Sequence, residues 1–214
     1  MLALVIWLLS PHVICRLPVP APPTQARHNL LQMALAMHNY AAYDGDGAFP
    51  PAAGGKGLHP GLSWRVALLP YVEEDVLYRQ FHLDEPWDSP NNIKLLPLMP
   101  NAYALPGAND PPGMTRYRVL VGKGTLFEPL DLEALEPRGR RLRDFKELAN
   151  AILVVESADP VPWTRPDELD YDPAGPLPAL STATGGPRAV MGDCSVRVLD
   201  PSRPAEELRK LIAP

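Results

Sequence analysis

TQARHNLLQMALAMHNYAAY, residues 24–43, is the stretch on which the fold turns. Gln25, His28, Gln32, Ala36, Asn39 and Tyr43 follow three-to-four spacing and form a mostly polar stripe. Leu30, Leu31, Met33, Ala34, Leu35 and Met37 cover the rest, so the spacing predicts a helix to about Tyr43 that packs heavily. Thr24 stands where a cap belongs. Asp44-Gly45-Asp46-Gly47 ends the helix, because glycine tolerates the left-handed conformation at a helix C-terminus.

Working outward from that helix, Ser63–Phe81 reads as a second helical region with Ser63 as its cap. Pro70 should kink or divide it. Residues 84–113 hold many prolines and read as a long ordered loop. Strands follow. Tyr117–Val121 is β-prone, Ala151–Val155 is apolar throughout and suits a central strand, and Arg188–Met191 with Ser195–Leu199 flank a turn at Gly192-Asp193-Cys194. A last helix, with Ser202 as cap, runs to about Ile212. Helices first and an antiparallel sheet later make an α+β pattern.

Upstream of the first helix, residues 2–15, LALVIWLLSPHVIC, carry no formal charge. They fall short of the about 20 residues that a spanning helix needs. They read as a remnant anchor with weak membrane association, the end of a longer anchor, or a buried strand. Pro18, Pro20, Pro22 and Pro23 then favour an extended linker. Residues 1–23 are thus read as apolar segment plus linker, and 24–214 as one globular domain.

Composition narrows the function classes. The 214 residues are 46% hydrophobic, enough for a real core, and the net charge is −5. Arg138, Arg140, Arg141 and Arg143 form the one basic cluster, flanked by Glu133, Glu136 and Asp144. A nucleic-acid partner is not expected, because phosphate binding needs a wider basic face. The 28 prolines demand short regular elements. Cys15 and Cys194 form no CxxC pair, which argues against a cysteine zinc site, and they are read as two unpaired thiols.

Several motifs occur in a fixed order: Asn29-Leu30-Leu31-Gln32 with Ala36-Met37-His38-Asn39-Tyr40, Phe49-Pro50-Pro51, and Ser63-Trp64-Arg65-Val66 with Leu68-Leu69-Pro70-Tyr71. Asp84 to Asn92 (DEPWDSPNN), Ile152-Leu153-Val154-Val155-Glu156 and Val161 to Pro166 (VPWTRP) follow. In these the chain resembles a large bacterial family of pseudopilin-like proteins of unknown function. The resemblance implies a pilin-like fold, with an N-terminal helix on an antiparallel sheet. It also implies an extracytoplasmic, inner-membrane-associated protein that works through protein partners, linked to type II secretion-like machinery. Leu8-Leu9-Ser10-Pro11 looks like the end of that family's apolar helix, whose cleavage motif does not appear here. The family's usual cysteines near Ala26 and Leu105 are replaced, and its signature histidine has no counterpart at Ala183. Its Asp-Gly turn is Asp193-Cys194 here, so the turn type is expected to differ, since cysteine is strained at positive φ.

Candidate chemistry is sparse. Asp44 and Asp46 resemble part of a calcium loop, but no EF-hand spacing follows, so they are read as a helix-ending turn. No nucleophile elbow, phosphate loop or dinucleotide fingerprint is found. No catalytic residue, metal site or cofactor is expected. His38 is read as a hydrogen-bonded core residue. The candidate ligand-binding residues are Trp87, Asp88, Asn91, Glu156, Trp163 and Arg165, which would suit a carbohydrate or peptide if the chain is a soluble binding module. A third reading is a hydrolase using Glu156 with Asp159 or Asp167. The plainer role for Glu156 is holding Arg165 or a loop N–H.

Overall fold

The computed structural model describes residues 21–43, 46–52, 61–128, 141–181, 183, 185–200 and 202–214. Cys15, Asp44, Arg138, Arg140 and the apolar segment lie outside the described residues. The first helix, α1, spans Pro22–Tyr43. It starts two residues before the expected Thr24, because proline fits a first turn where its missing N–H is not needed. The Ala21 carbonyl accepts the N–H groups of Thr24 (2.9 Å) and Gln25 (3.1 Å), so Thr24 is not the cap. The buried face also differs from the expected one. Ala36, assigned to the polar stripe, is 1% exposed, whereas Leu35 is 57% exposed. Apolar residues lie on every side of this helix, so periodicity places its buried face only coarsely.

The second helical region divides as Pro70 requires. Helix α2, Trp64–Ala67, gives way to a 3₁₀ turn at Leu69–Tyr71, and α3, Asp75–Tyr78, follows a positive φ of 65° at Glu73. The Ser63 hydroxyl accepts the Arg65 N–H at 3.3 Å, as a cap should. Within the proline-rich stretch, 3₁₀ turns form at Asn92–Leu98 and Asn101–Tyr103.

The sheet strands are β1 (Met114–Arg118), β2 (Leu120–Gly122), β3 (Ile152–Pro162), β4 (Leu169–Tyr171), β5 (Arg188–Met191) and β6 (Val196–Val198). A four-stranded antiparallel sheet runs β1-β3-β5-β6, and β2 pairs in parallel with β4. The expected single strand Tyr117–Val121 is therefore two strands. At Val119 the backbone N–H goes to the Glu168 carboxylate (2.8 Å), and the chain leaves the sheet to pair elsewhere. The last helix, α4 (Ala205–Ile212), lacks the expected Ser202 cap, because that hydroxyl donates to Asp200 at 2.6 Å.

Three layers result, an α+β architecture. Helix α1 lies across β3, β5 and β6 and covers the core built on Leu30, Met33, Met37, Trp64, Tyr103, Leu153 and Trp163. The opposite sheet face packs Val155, Ala189 and Met191 against Leu169 and Tyr171 of β4 and Ile212 of α4. The β5–β6 turn keeps a positive φ of 65° at Cys194, against the expected change of turn type. The ladder explains it: Met191 N–H bonds the Ser195 carbonyl at 2.8 Å, closing a three-residue loop whose last position is left-handed whatever residue fills it.

Candidate functional site

The densest polar constellation is internal. Arg65 lies on the one-turn helix α2, in an otherwise apolar run, and its side chain is wholly buried. Its guanidinium donates to Glu168 Oε1 (2.9 Å), to Ser63 Oγ (2.6 Å) and to the Tyr117 carbonyl (3.0 Å). Glu168 in turn accepts the Trp64 indole N–H (3.0 Å) and the Val119 backbone N–H (2.8 Å). The Tyr103 hydroxyl donates to the Arg65 carbonyl at 2.9 Å. Beside this, Arg118 donates to Asp167 Oδ1 (2.8 Å) and to the Asp167 carbonyl (3.0 Å). Burial pushes the Glu168 carboxyl above the usual carboxylate range, and the Arg65 charge and the Val119 N–H pull it back. Burial likewise lowers Arg65, opposed by the Glu168 charge.

The two backbone groups held here, Tyr117 C=O and Val119 N–H, lie along the outer edge of β1 and its continuation. A neighbouring strand would offer them one donor and one acceptor. Arg65 and Glu168 offer the same pair, so the ion pair stands in for a fifth strand and closes that edge. At the opposite edge, the register of β5 on β6 points the N–H and C=O groups of Val196 and Val198 outward, where they have no backbone partner among the described residues.

The residues singled out from the sequence fall in separate places. Trp163 is wholly buried, donates its indole N–H to the Leu96 carbonyl (3.0 Å) and stacks on Tyr103. It is a core residue and presents no face to a ligand. Trp87 is half-buried against the same core, and the Arg165 guanidinium lies 5.9 Å from its ring centroid. Asp88 is exposed nearby in sequence, and Asn91 donates to the Gln80 carbonyl at 3.0 Å. Glu156 is wholly buried on β3, where it accepts the Arg188 N–H (3.2 Å) and faces the Arg188 guanidinium (3.8 Å). Its partner is thus Arg188 from the next strand, not Arg165. Asp167 is held by Arg118 and Arg165, on the other face of the sheet. Glu156 and Asp167 therefore do not converge. His38 meets its expectation: Nε2 donates to the Gly192 carbonyl at 2.8 Å, and the ring sits edge-on to Phe49. Asp46 pairs with Arg141 at 2.6 Å. Among the described residues, no group of three or more His, Cys, Asp or Glu side chains is placed to hold a metal.

Arg65 and Glu168 had no role in the sequence reading. A signal for the first was present, since a charge among Trp64, Val66, Leu68 and Leu69 must be paired if that run is buried. Glu168, in DELD, gives no such signal.

An open recess of about 300 Å³ lies at the end of the sheet, where Gly107, Ala108, Asn109, Arg116, Ala158, Leu180, Ser181 and Ala183 meet. Arg116 is held there by both Asp110 oxygens (2.8 Å each) and donates to the Ala158 carbonyl.

Residues 23–126 match a family described as a protein of unknown function (DUF1559). The match takes in α1, the divided helical region, the proline-rich loops and the β1–β2 junction, and stops before β3 and the hairpin. No curated protein and no solved structure matches the chain.

Proposed function

We propose that the chain is a non-enzymatic, pseudopilin-like module that acts by protein contact at the outer face of the inner membrane, in the service of secretion-type machinery. The observation that carries this reading is the placement of α1. A 22-residue helix crosses three strands of an antiparallel sheet, and the sequence before it is an apolar segment joined by a proline-rich linker. The outward side of α1 supports contact with protein. It includes Leu35 and Tyr43, 57% and 80% exposed, and Arg27 is the helix's one formal charge. No described helix is long and apolar enough to cross a membrane. This reading assigns an anchoring role to the apolar residues 2–15. Fractionation of cells making the full-length chain, with protease added to spheroplasts, tests it. Membrane-associated, protease-accessible protein is expected. Recovery wholly in the cytosolic fraction overturns the reading.

A second reading, a module binding carbohydrate or peptide, draws on Trp87 and Arg165, the two candidates that lie together near the surface. Tryptophan fluorescence during glycan and peptide titrations separates the two, since only this reading expects a Trp87-dependent change.

A further inference from the structure

We propose that β6 is an interface between two copies of the chain, which join edge to edge through Val196 and Val198 into one eight-stranded sheet. Among the described residues β6 pairs with β5 alone, and the N–H and C=O groups of Val196 and Val198 point away from that partner. Proteins commonly guard a free edge with proline, lysine or a bulge. β6 has none of these: it reads Val-Arg-Val in unbroken register with β5. Its one charge, Arg197, reaches back to the Ala149 carbonyl (2.8 Å), near the start of β3 and away from the edge. Val198 is left 61% exposed.

Two features favour a second copy over any other strand. The first is self-complementarity. A two-fold axis at Arg197 sets Val196 of each copy opposite Val198 of the other, so every outward donor and acceptor of the two residues meets its counterpart. Val196 is half-buried against the core beneath α1, and Val198 follows on the same face, so the same axis also stacks valine on valine across the seam. The two Arg197 side chains face each other across the axis on the other face, but each is drawn back toward its own β3. The second feature is closure. A peptide added from elsewhere would carry its own free edge outward, and the sheet would end as exposed as before. The β6 of a second copy is already paired with its own β5, and both ends of the joined sheet are then β1 edges held by Arg65 and Glu168. The contact is short, in the class of transient interfaces below about 1,200 Å², so the pair should separate on dilution. It holds or fails independently of the compartment proposed above.

Amide hydrogen exchange of the full-length chain in non-ionic detergent, read residue by residue from micromolar to millimolar concentration, tests the pairing alongside the sedimenting mass. Val196 and Val198 should exchange about tenfold more slowly at the high end than at the low end, as the mass rises toward two copies. Arg197, whose N–H faces Ala189, should be protected throughout. Val198→Lys and Val198→Pro alter a side chain that is exposed and an N–H that points away from β5, so each should remove the concentration dependence at Val196 while Arg197 stays protected. In Arg197→Cys, mild oxidation should link two copies through residue 197, because directly opposite residues of a non-hydrogen-bonded pair lie about 4.5 Å apart at Cα, within disulfide reach. Exchange at Val196 and Val198 that ignores concentration overturns the proposal, as does a mass that stays at one copy or a pair that survives both Val198 variants. Protection of Val196 and Val198 at the mass of one copy also overturns it, by placing the cover within the chain.

Discussion

Without its carboxylate, residue 168 would leave the Trp64 indole N–H and the Val119 N–H without their acceptor and the buried Arg65 guanidinium without its counter-charge. Glu168→Leu should therefore cost about 3–5 kcal/mol, read from urea denaturation. The double variant Arg65→Met, Glu168→Leu should cost less than the sum of the two single changes, since it removes the unpaired charge. It should remain less stable than the native chain, because only in the double variant do Tyr117 C=O and Val119 N–H both lose their partners. Two tyrosines offer a matched contrast. Tyr103 donates to the Arg65 carbonyl at 2.9 Å, and Tyr103→Phe should cost about 1 kcal/mol. The Tyr117 hydroxyl is buried beside the Asn29 side chain without a hydrogen bond of good geometry among the described residues, and burial followed by the Glu156 charge pushes its ionisation well above the usual range. Tyr117→Phe should leave the denaturation midpoint nearly unchanged, by about 0.5 kcal/mol or less.

Among the elements, the β5–β6 hairpin carries a pH dependence of known sign. Asp193 Oδ1 accepts the Ser195 hydroxyl (2.6 Å) and the Ser195 N–H (2.9 Å), and these bonds hold its carboxyl below the usual range. A depressed carboxyl stabilises the fold above the unfolded value near pH ~3.9 and loses that contribution as pH falls through the folded value. Ser195→Ala should melt below the native chain at pH 5, and the gap should close on acidification. The β2–β4 pair depends on Gly122, at φ 154°, where a Cβ would run into the Tyr171 carbonyl. Gly122→Ala should cost at least about 2 kcal/mol, read from the same urea curves. The elements legible in the sequence are those with local causes. The central strand Ala151–Val155, the hairpin, the Pro70 division and the presence of α1 all follow from short-range pattern. The β2–β4 pair was not legible, because a carboxylate 49 residues away takes the Val119 N–H. The Glu156 partner escaped for the same reason: Arg188 becomes its neighbour only once β3 and β5 pair. The buried face of α1 is set by the sheet beneath it, since the helix is apolar all round.

At the scale of the whole molecule, one helix and one sheet divide the work. Helix α1 joins the loops at its N-terminal end, through Asn29 to the carbonyls of Asn101 (3.3 Å) and Ala104 (2.9 Å), to the hairpin at its other end, through His38. The edge sealed by Arg65 and Glu168 has a further consequence, for how copies of the chain can meet. A sheet with two open edges has a valence of two, and such molecules can add strand to strand into an endless ribbon. With β1 sealed and β6 open among the described residues, the four-stranded sheet has a valence of one, and strand addition to it terminates at a pair. Opening the sealed edge by Glu168→Leu should turn a terminating reaction into a propagating one. Light scattering at equal folded fraction should then rise without a plateau in the variant, while the native chain levels off.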